Sequence, residues 1–192
     1  LMLGGGLQAV KRPLVADATL QLHLGATMRN ARIVPLDRRS IAPGATGLAQ
    51  LQLDAPVSAL HGERLVLRDA AAHAIVGGAT VLDPWAPARG RARPERLADL
   101  EALAEADPQA ALARLLTAHP EGVEWPPFAR ARNLPDTARA DLQAALGLQV
   151  VPHAQGLRLI APLKAARPQL RVLLLTGYAS IATAVEAIKL GA

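Results

Sequence analysis

The sequence predicts a mixed fold, an antiparallel β-barrel followed by an α+β unit and then by an incomplete α/β tail. Three observations carry this. From Ala18 to about Pro84, short runs of alternating apolar and polar residues are divided by glycine and proline, the period-two pattern of strands that bury one face. From Glu95 to Leu146, leucine recurs at helical spacing between cap signals,. Beyond Leu163, one continuous apolar run, Val172 to Leu175, precedes a helical stretch.

Taken in order, residues 1–13 are expected to be disordered or the remnant of a preceding domain, and the barrel is expected over 14–86. Leu20, Leu22 and Leu24 interleave with Gln21 and His23 as one half-buried strand,. Further strands follow at 32–36, 47–53, 63–68 and 74–82, with Pro43-Gly44, Pro56 and His61-Gly62 as turn residues between them,. Residues 84–94 hold three prolines and several arginines. Such a stretch cannot sustain a helix, so 87–94 reads as a Pro/Arg linker and a domain boundary.

Beyond the linker, Leu97, Leu100 and Leu103 repeat at helical spacing within 95–105. Asp107-Pro108 is an N-cap followed by a first-turn proline, opening a second helix to about Leu116. Pro126-Pro127 opens a third, and Asp136 to Leu146 makes a fourth, capped by Asp136 and stopped by Gly147,. The segments 148–151 and 157–160 flank Pro152-His-Ala-Gln-Gly156 as a hairpin. Helices followed by a β-hairpin describe a winged helix over 95–162. The remaining 163–192 supplies one buried parallel-type strand at 171–176 and a helix over 180–190. A lone parallel strand leaves its edge groups unsatisfied, so this piece is expected to borrow the neighbouring hairpin or to pack poorly.

The 192 residues contain no cysteine, which excludes disulfides, thiolate nucleophiles and cysteine-ligated metal,. The five histidines are scattered singly, without metal-ligand spacing, and read as surface or turn residues,. No apolar stretch is long enough to span a membrane and the first residues do not form a signal peptide, so a cytoplasmic, membrane-free protein is expected. The formal charge is +5, and arginine outnumbers lysine eighteen to three. Arginine pairs with phosphate in a bidentate fork, which points to nucleic acid, while GC-rich coding gives the same bias without a function. Trp125 and Phe128 read as core residues of the winged helix.

The motifs Leu20-Gln-Leu-His-Leu-Gly-Ala26, Ala42-Pro-Gly-Ala-Thr-Gly-Leu-Ala-Gln-Leu51, Gly62-Glu-Arg-Leu-Val-Leu-Arg-Asp69 and Gly77-Gly-Ala-Thr-Val-Leu-Asp-Pro84 resemble, in order, the third, elongation-factor-Tu-like barrel of bacterial selenocysteine-specific elongation factor. The segment 147–162 resembles that family's first wing. The resemblance implies translation elongation and selenocysteine incorporation, with selenocysteinyl-tRNA and the ribosome as partners. It also implies contact with the T-stem backbone by the loop after 65–68, transferring to Arg68, Asp69 and Ala70, with Arg64 just before them. The family has Glu and Gly where this chain has Asp69 and Ala70. Arg68 suits a phosphate, and Asp69 a 2′-hydroxyl; a solvated strand end is the plain alternative. Arg89, Arg91, Arg93 and Arg96 are candidate RNA backbone contacts.

No Gly-x-x-x-x-Gly-Lys-Ser/Thr loop occurs, so the chain is expected not to be an enzyme and to hold no cofactor. GTP and Mg²⁺ belong to the intact family, and a separate GTPase polypeptide is a candidate partner. The tail, Leu174-Leu-Thr-Gly-Tyr-Ala-Ser to Leu-Gly-Ala192, resembles part of the receiver domain of response regulators, in which Thr176 is the switch hydroxyl. Receiver phosphorylation needs an acidic Mg²⁺ site and a phosphoacceptor aspartate on a strand. None is legible here, and Asp141 falls on a helix. The expected function is therefore the RNA-binding portion of the elongation factor without its GTPase. The alternatives are an aberrant response-regulator (phosphorelay) fragment lacking the phosphoacceptor, or an adaptor using the unpaired strand.

Overall fold

A computed structural model describes residues 2–9, 12–71, 73–120, 122–152 and 172–175 of the chain. Two compact units divide between Ala104 and Glu105. In the first unit the strands are β1 (Met2–Ala9), β2 (Leu14–Val15), β3 (Thr19–Leu24), β4 (Thr27–Pro35), β5 (Ser40–Ile41), β6 (Thr46–Leu53), β7 (Arg64–Asp69) and β8 (Ala74–Asp83), followed by helix α1 (Pro94–Leu103). A curled antiparallel sheet in the order β1-β6-β4-β3-β7-β8 closes into a barrel where β1 also pairs with β8. The pair β2–β5 forms a separate two-stranded sheet.

Strand alternation places Leu20, Leu22, Leu24, Ile33, Leu51, Leu53, Leu65 and Leu67 inside the barrel, where they form one core with Leu14, Ile41, Val76 and Val81. Closure depends on β1, and this corrects the expectation for residues 1–13. Met2–Ala9 is a barrel strand, not a disordered remnant. Three successive glycines gave no strand signal because strand propensity reflects side-chain packing that glycine lacks. The closure itself explains one of them. A Cβ on Gly5 would lie 2.6 Å from the carbonyl oxygen of Thr80 in β8, so the two backbones approach more closely than any side chain permits.

β6 is buried on both faces. Ala49, Leu51 and Leu53 fill the barrel, while Leu48 and Gln50 point outward. The outer face is covered by α1, whose Leu97, Leu100 and Leu103 pack with Val34, Leu36, Leu48 and Leu82. The leucine stripe read as the start of the winged helix therefore serves the barrel, and α1 belongs to the first unit. His61 Nε2 donates to the Leu103 carbonyl at 2.6 Å, and Arg96 forms an ion pair with Asp83 at the end of β8. The Pro-rich stretch that looked like a free linker is pinned as well. Gln50, 1% exposed, donates its side-chain amide to the Pro87 carbonyl at 2.9 Å.

The second unit contains α2 (Pro108–Ala118), α3 (Trp125–Ala131), α4 (Asp136–Ala145), β9 (Gln149–Pro152) and β10 (Val172–Leu175). Asp107 caps α2 as its sequence implies, accepting from the Gln109 and Ala110 backbone N–H groups. For α4 the cap is Pro135, and Asp136 is the first helical residue, giving dipole complementarity in place of a side-chain cap,. Gly147, at φ 60°, ends α4 in the left-handed conformation,. Leu112, Leu115, Leu116, Trp125, Phe128, Leu134 and Leu142 are buried. Trp125 and Phe128 stack at 6.1 Å, and the Arg132 guanidinium lies 5.2 Å over the Phe128 ring.

Arg132 also donates to the Glu105 and Ala106 carbonyls at 2.8 and 3.2 Å, anchoring the segment that leads into α2. Burial pushes the Arg132 guanidinium below its ordinary pKa, with Asp107 opposing the shift. β9 pairs in parallel with β10, Val172 opposite Gln149. The expected hairpin partner at 157–160 and the tail helix at 180–190 lie outside the described residues.

Candidate nucleic-acid interface

The outer face of β7 carries Arg64, Val66 and Arg68 at every second position, with Leu65 and Leu67 inside. Arg64 sits at the start of the strand and Arg68 near its loop end, four residues or about 13 Å apart,. The structure thus separates Arg64 from the loop that the sequence placed beside it. Across the sheet, Arg68 faces Gln21 of β3, which faces Asn30 of β4. Asn30 in turn donates to Asp54 at 3.0 Å. This makes a polar row beginning at Arg68. The neighbouring outward row is Val66, His23 and Met28, of which Val66 and Met28 are exposed.

The loop after β7 is shaped by Asp69. One carboxylate oxygen accepts the Ala71 backbone N–H at 3.0 Å, and the other pairs with Arg12 at 2.6 Å. The Asp69 side chain is 18% exposed, whereas that of Arg12 is 51% exposed. Asp69 is thereby engaged in holding the loop and presenting an arginine, beyond the simple acceptor role read from sequence. Ala70 is exposed at the turn, and His73 returns the chain to β8 in the left-handed region at φ 49°. Register slips opposite Leu67 and Arg68, which pair with Gly77 and Ile75, so β8 carries a bulge at Val76 beside the loop end of β7, a device that re-aims side chains near functional edges. Arg12 was invisible to sequence reasoning because nothing local marks it. Its partner lies more than fifty residues away.

Of the four arginines read as backbone contacts, Arg89 and Arg93 are exposed and Arg91 is half-buried. None of these three forms an ion pair among the described residues. Arg96 is different, since its side chain and that of Asp83 are each 16% exposed and bound to one another. It fastens α1 to β8. Thr176 lies outside the described residues, and Asp141 is exposed on α4. Among the described residues there is no cluster of three or more potential metal ligands, and no helix is long and apolar enough to cross a membrane.

The first unit is a small closed antiparallel β-barrel with arginines on one strand and at its loop end. Residues 7–88 match the β-barrel domain of selenocysteine-specific elongation factor. The match begins inside β1, in keeping with a barrel that needs that strand, and runs just past Pro87. A second similarity is to the photosynthetic apparatus regulatory protein RegA of Rhodobacter capsulatus, 43% identical over 54 residues. It covers 28% of this chain, and the chain spans 29% of that relative.

Proposed function

We propose that this chain is the RNA-binding portion of a selenocysteine-specific elongation factor, acting by holding selenocysteinyl-tRNA for the ribosome and not by catalysis. The observation that carries it is the match of residues 7–88 to that family's β-barrel domain. In this reading the loop end of β7 meets the backbone of a tRNA stem. Arg68 supplies a charge-assisted phosphate contact, Arg64 a second contact farther along the strand, and Asp69 and Ala70 shape the loop that follows Arg68. Arg89, Arg91 and Arg93 add salt-dependent attraction. Arg96, committed to Asp83, takes no part. The stretch expected as the family's first winged helix, 95–162, serves as such in its part beyond α1, and a GTPase, on this chain's own extension or on a separate polypeptide, supplies the nucleotide chemistry.

The test is an electrophoretic mobility shift with selenocysteine tRNA at low salt. Binding that weakens on Arg68→Ala supports the reading. No shift at low salt, or a shift indifferent to Arg68→Ala, removes it.

The similarity to RegA favours a second reading, a segment of response-regulator type. Incubation with acetyl phosphate and Mg²⁺ separates the two. A stable acyl phosphate on the chain selects the second reading, and its absence together with tRNA binding selects the first.

A further inference from the structure

Beside the barrel mouth opposite the β7 loop lies a groove of about 530 Å³ between the segment 57–60 and Trp85, with Glu63 and Pro84 also lining it. Its walls are held firmly. Glu63 accepts the Leu60 backbone N–H at 2.8 Å, and Gly62 and Glu63 exchange backbone hydrogen bonds with Val81 at 2.8 and 2.9 Å. The Trp85 backbone N–H donates to the Asp83 carboxylate at 2.8 Å, and the chain is fixed again two residues later by Gln50 on Pro87. A tryptophan with such a rigid backbone is nevertheless 48% exposed, and Leu60 beside it is 38% exposed. About half of the Trp85 surface thus faces water from a fixed backbone position.

Chemistry and charge narrow the occupant. The chain immediately following Trp85 presents Arg89, Arg91 and Arg93, none of them ion-paired among the described residues. Four residues extend at most about 14 Å, so Arg89 stays within reach of a strand whose base lies on Trp85. An aromatic platform next to a basic track is the arrangement that binds unpaired nucleotides: bases stack on the ring, and the backbone follows the cations. A duplex presents no free base face, so it does not use the ring.

We propose that this groove seats an unpaired RNA nucleobase stacked on Trp85, with the adjoining phosphates held by Arg89, Arg91 and Arg93. The proposal rests on the RNA-binding reading above but assigns a different surface from the β7 loop. It makes the protein a reader of a single-stranded segment in addition to a stem.

The experiment uses the full chain and fluorescence anisotropy at low salt, with three probes: a short unstructured RNA, its duplex, and the same strand with abasic positions. Trp85→Ala is expected to weaken single-strand binding about 5- to 150-fold, the worth of one stacked base, while leaving duplex binding unchanged. Trp85→Phe, which keeps a ring, retains most of the affinity and shows that the site tolerates substitution. Replacing Arg89, Arg91 and Arg93 together with alanine lowers the salt slope, which Trp85→Ala does not. Equal binding of the abasic strand, or no effect of Trp85→Ala, overturns the proposal. Self-association lost on Trp85→Ala with unchanged RNA affinity assigns the groove to a second copy and also overturns it. If Arg68→Ala still abolishes binding to selenocysteine tRNA in that case, the stem-binding reading stands alone. If no RNA binds at low salt, both fail.

Discussion

The side-chain amide of Gln50 donates to the carbonyl of Pro87 at 2.9 Å from a position that is 1% exposed. A fully buried amide on the outer face of a barrel strand marks that face as covered, and the bond ties the covering segment down. Removing the side chain deletes that bond and leaves a cavity beneath the covering segment. Gln50→Ala is expected to destabilise the first unit by about 1–3 kcal/mol and to speed proteolysis within residues 84–93. Denaturant melts followed by limited digestion check both.

Gly5 faces the backbone of β8 so closely that a Cβ would sit 2.6 Å from the Thr80 carbonyl oxygen. Elsewhere in a strand, glycine to alanine is stabilising. Here Gly5→Ala is expected to lower stability, because the seam between β1 and β8 must open to admit the methyl group. A raised unfolding midpoint for this variant would contradict closure through β1.

Leu100 is 0% exposed and sits where α1 meets Leu36 and Leu82. Leu100→Ala should cost about 2–5 kcal/mol, the range for a leucine deleted from a packed core. Because α1 belongs to the barrel unit, the loss should appear in the unfolding transition of that unit. Arg96→Ala should add a penalty, since it leaves Asp83 half-buried without its cation,.

Two aspartates that look alike in sequence should behave differently. Asp107 accepts from two backbone N–H groups at the start of α2, so Asp107→Ala should cost about 0.5–2 kcal/mol. Asp136 follows the N-cap Pro135 as the first residue of α4 and, among the described residues, makes no cap hydrogen bond, only a contact with Arg139 at 3.1 Å. Asp136→Ala should cost a few tenths of that, about 0.3 kcal/mol, through the helix dipole and an exposed ion pair.

Arg68→Ala is expected to reduce affinity for selenocysteine tRNA and to lower the salt slope of binding by about one. Arg12→Ala should have a smaller effect in the same direction, since the Arg12 charge is partly balanced by Asp69. Titration of binding against salt concentration measures both.

What the sequence made legible follows from local signals. Alternating leucines located β3 and β6, Asp107-Pro108 located the start of α2, and Gly147 its counterpart at the end of α4. Long-range partners left no such trace. The glycine run of β1 reads as unstructured until β8 is seen beside it, and the leucines of α1 point to a core without saying which one. The loop after β7 is legible in the sequence, but the tie between Asp69 and Arg12 is not, because a salt bridge across the chain has no spacing to betray it. Trp85 lies within a proline-rich stretch that composition assigns to linkers, and no local pattern marks its ring.

The packing of α1 over β4, β6 and β8 also decides where the first unit can be severed. A cut in the proline-rich stretch, the natural choice by composition, strips Leu97, Leu100 and Leu103 from Leu36, Leu48 and Leu82. It leaves a raw greasy flank and a stranded Gln50 on a barrel that is otherwise whole. Such a truncation should come out of cells as aggregate, whereas one extended through Ala104 keeps its lid and stays in solution.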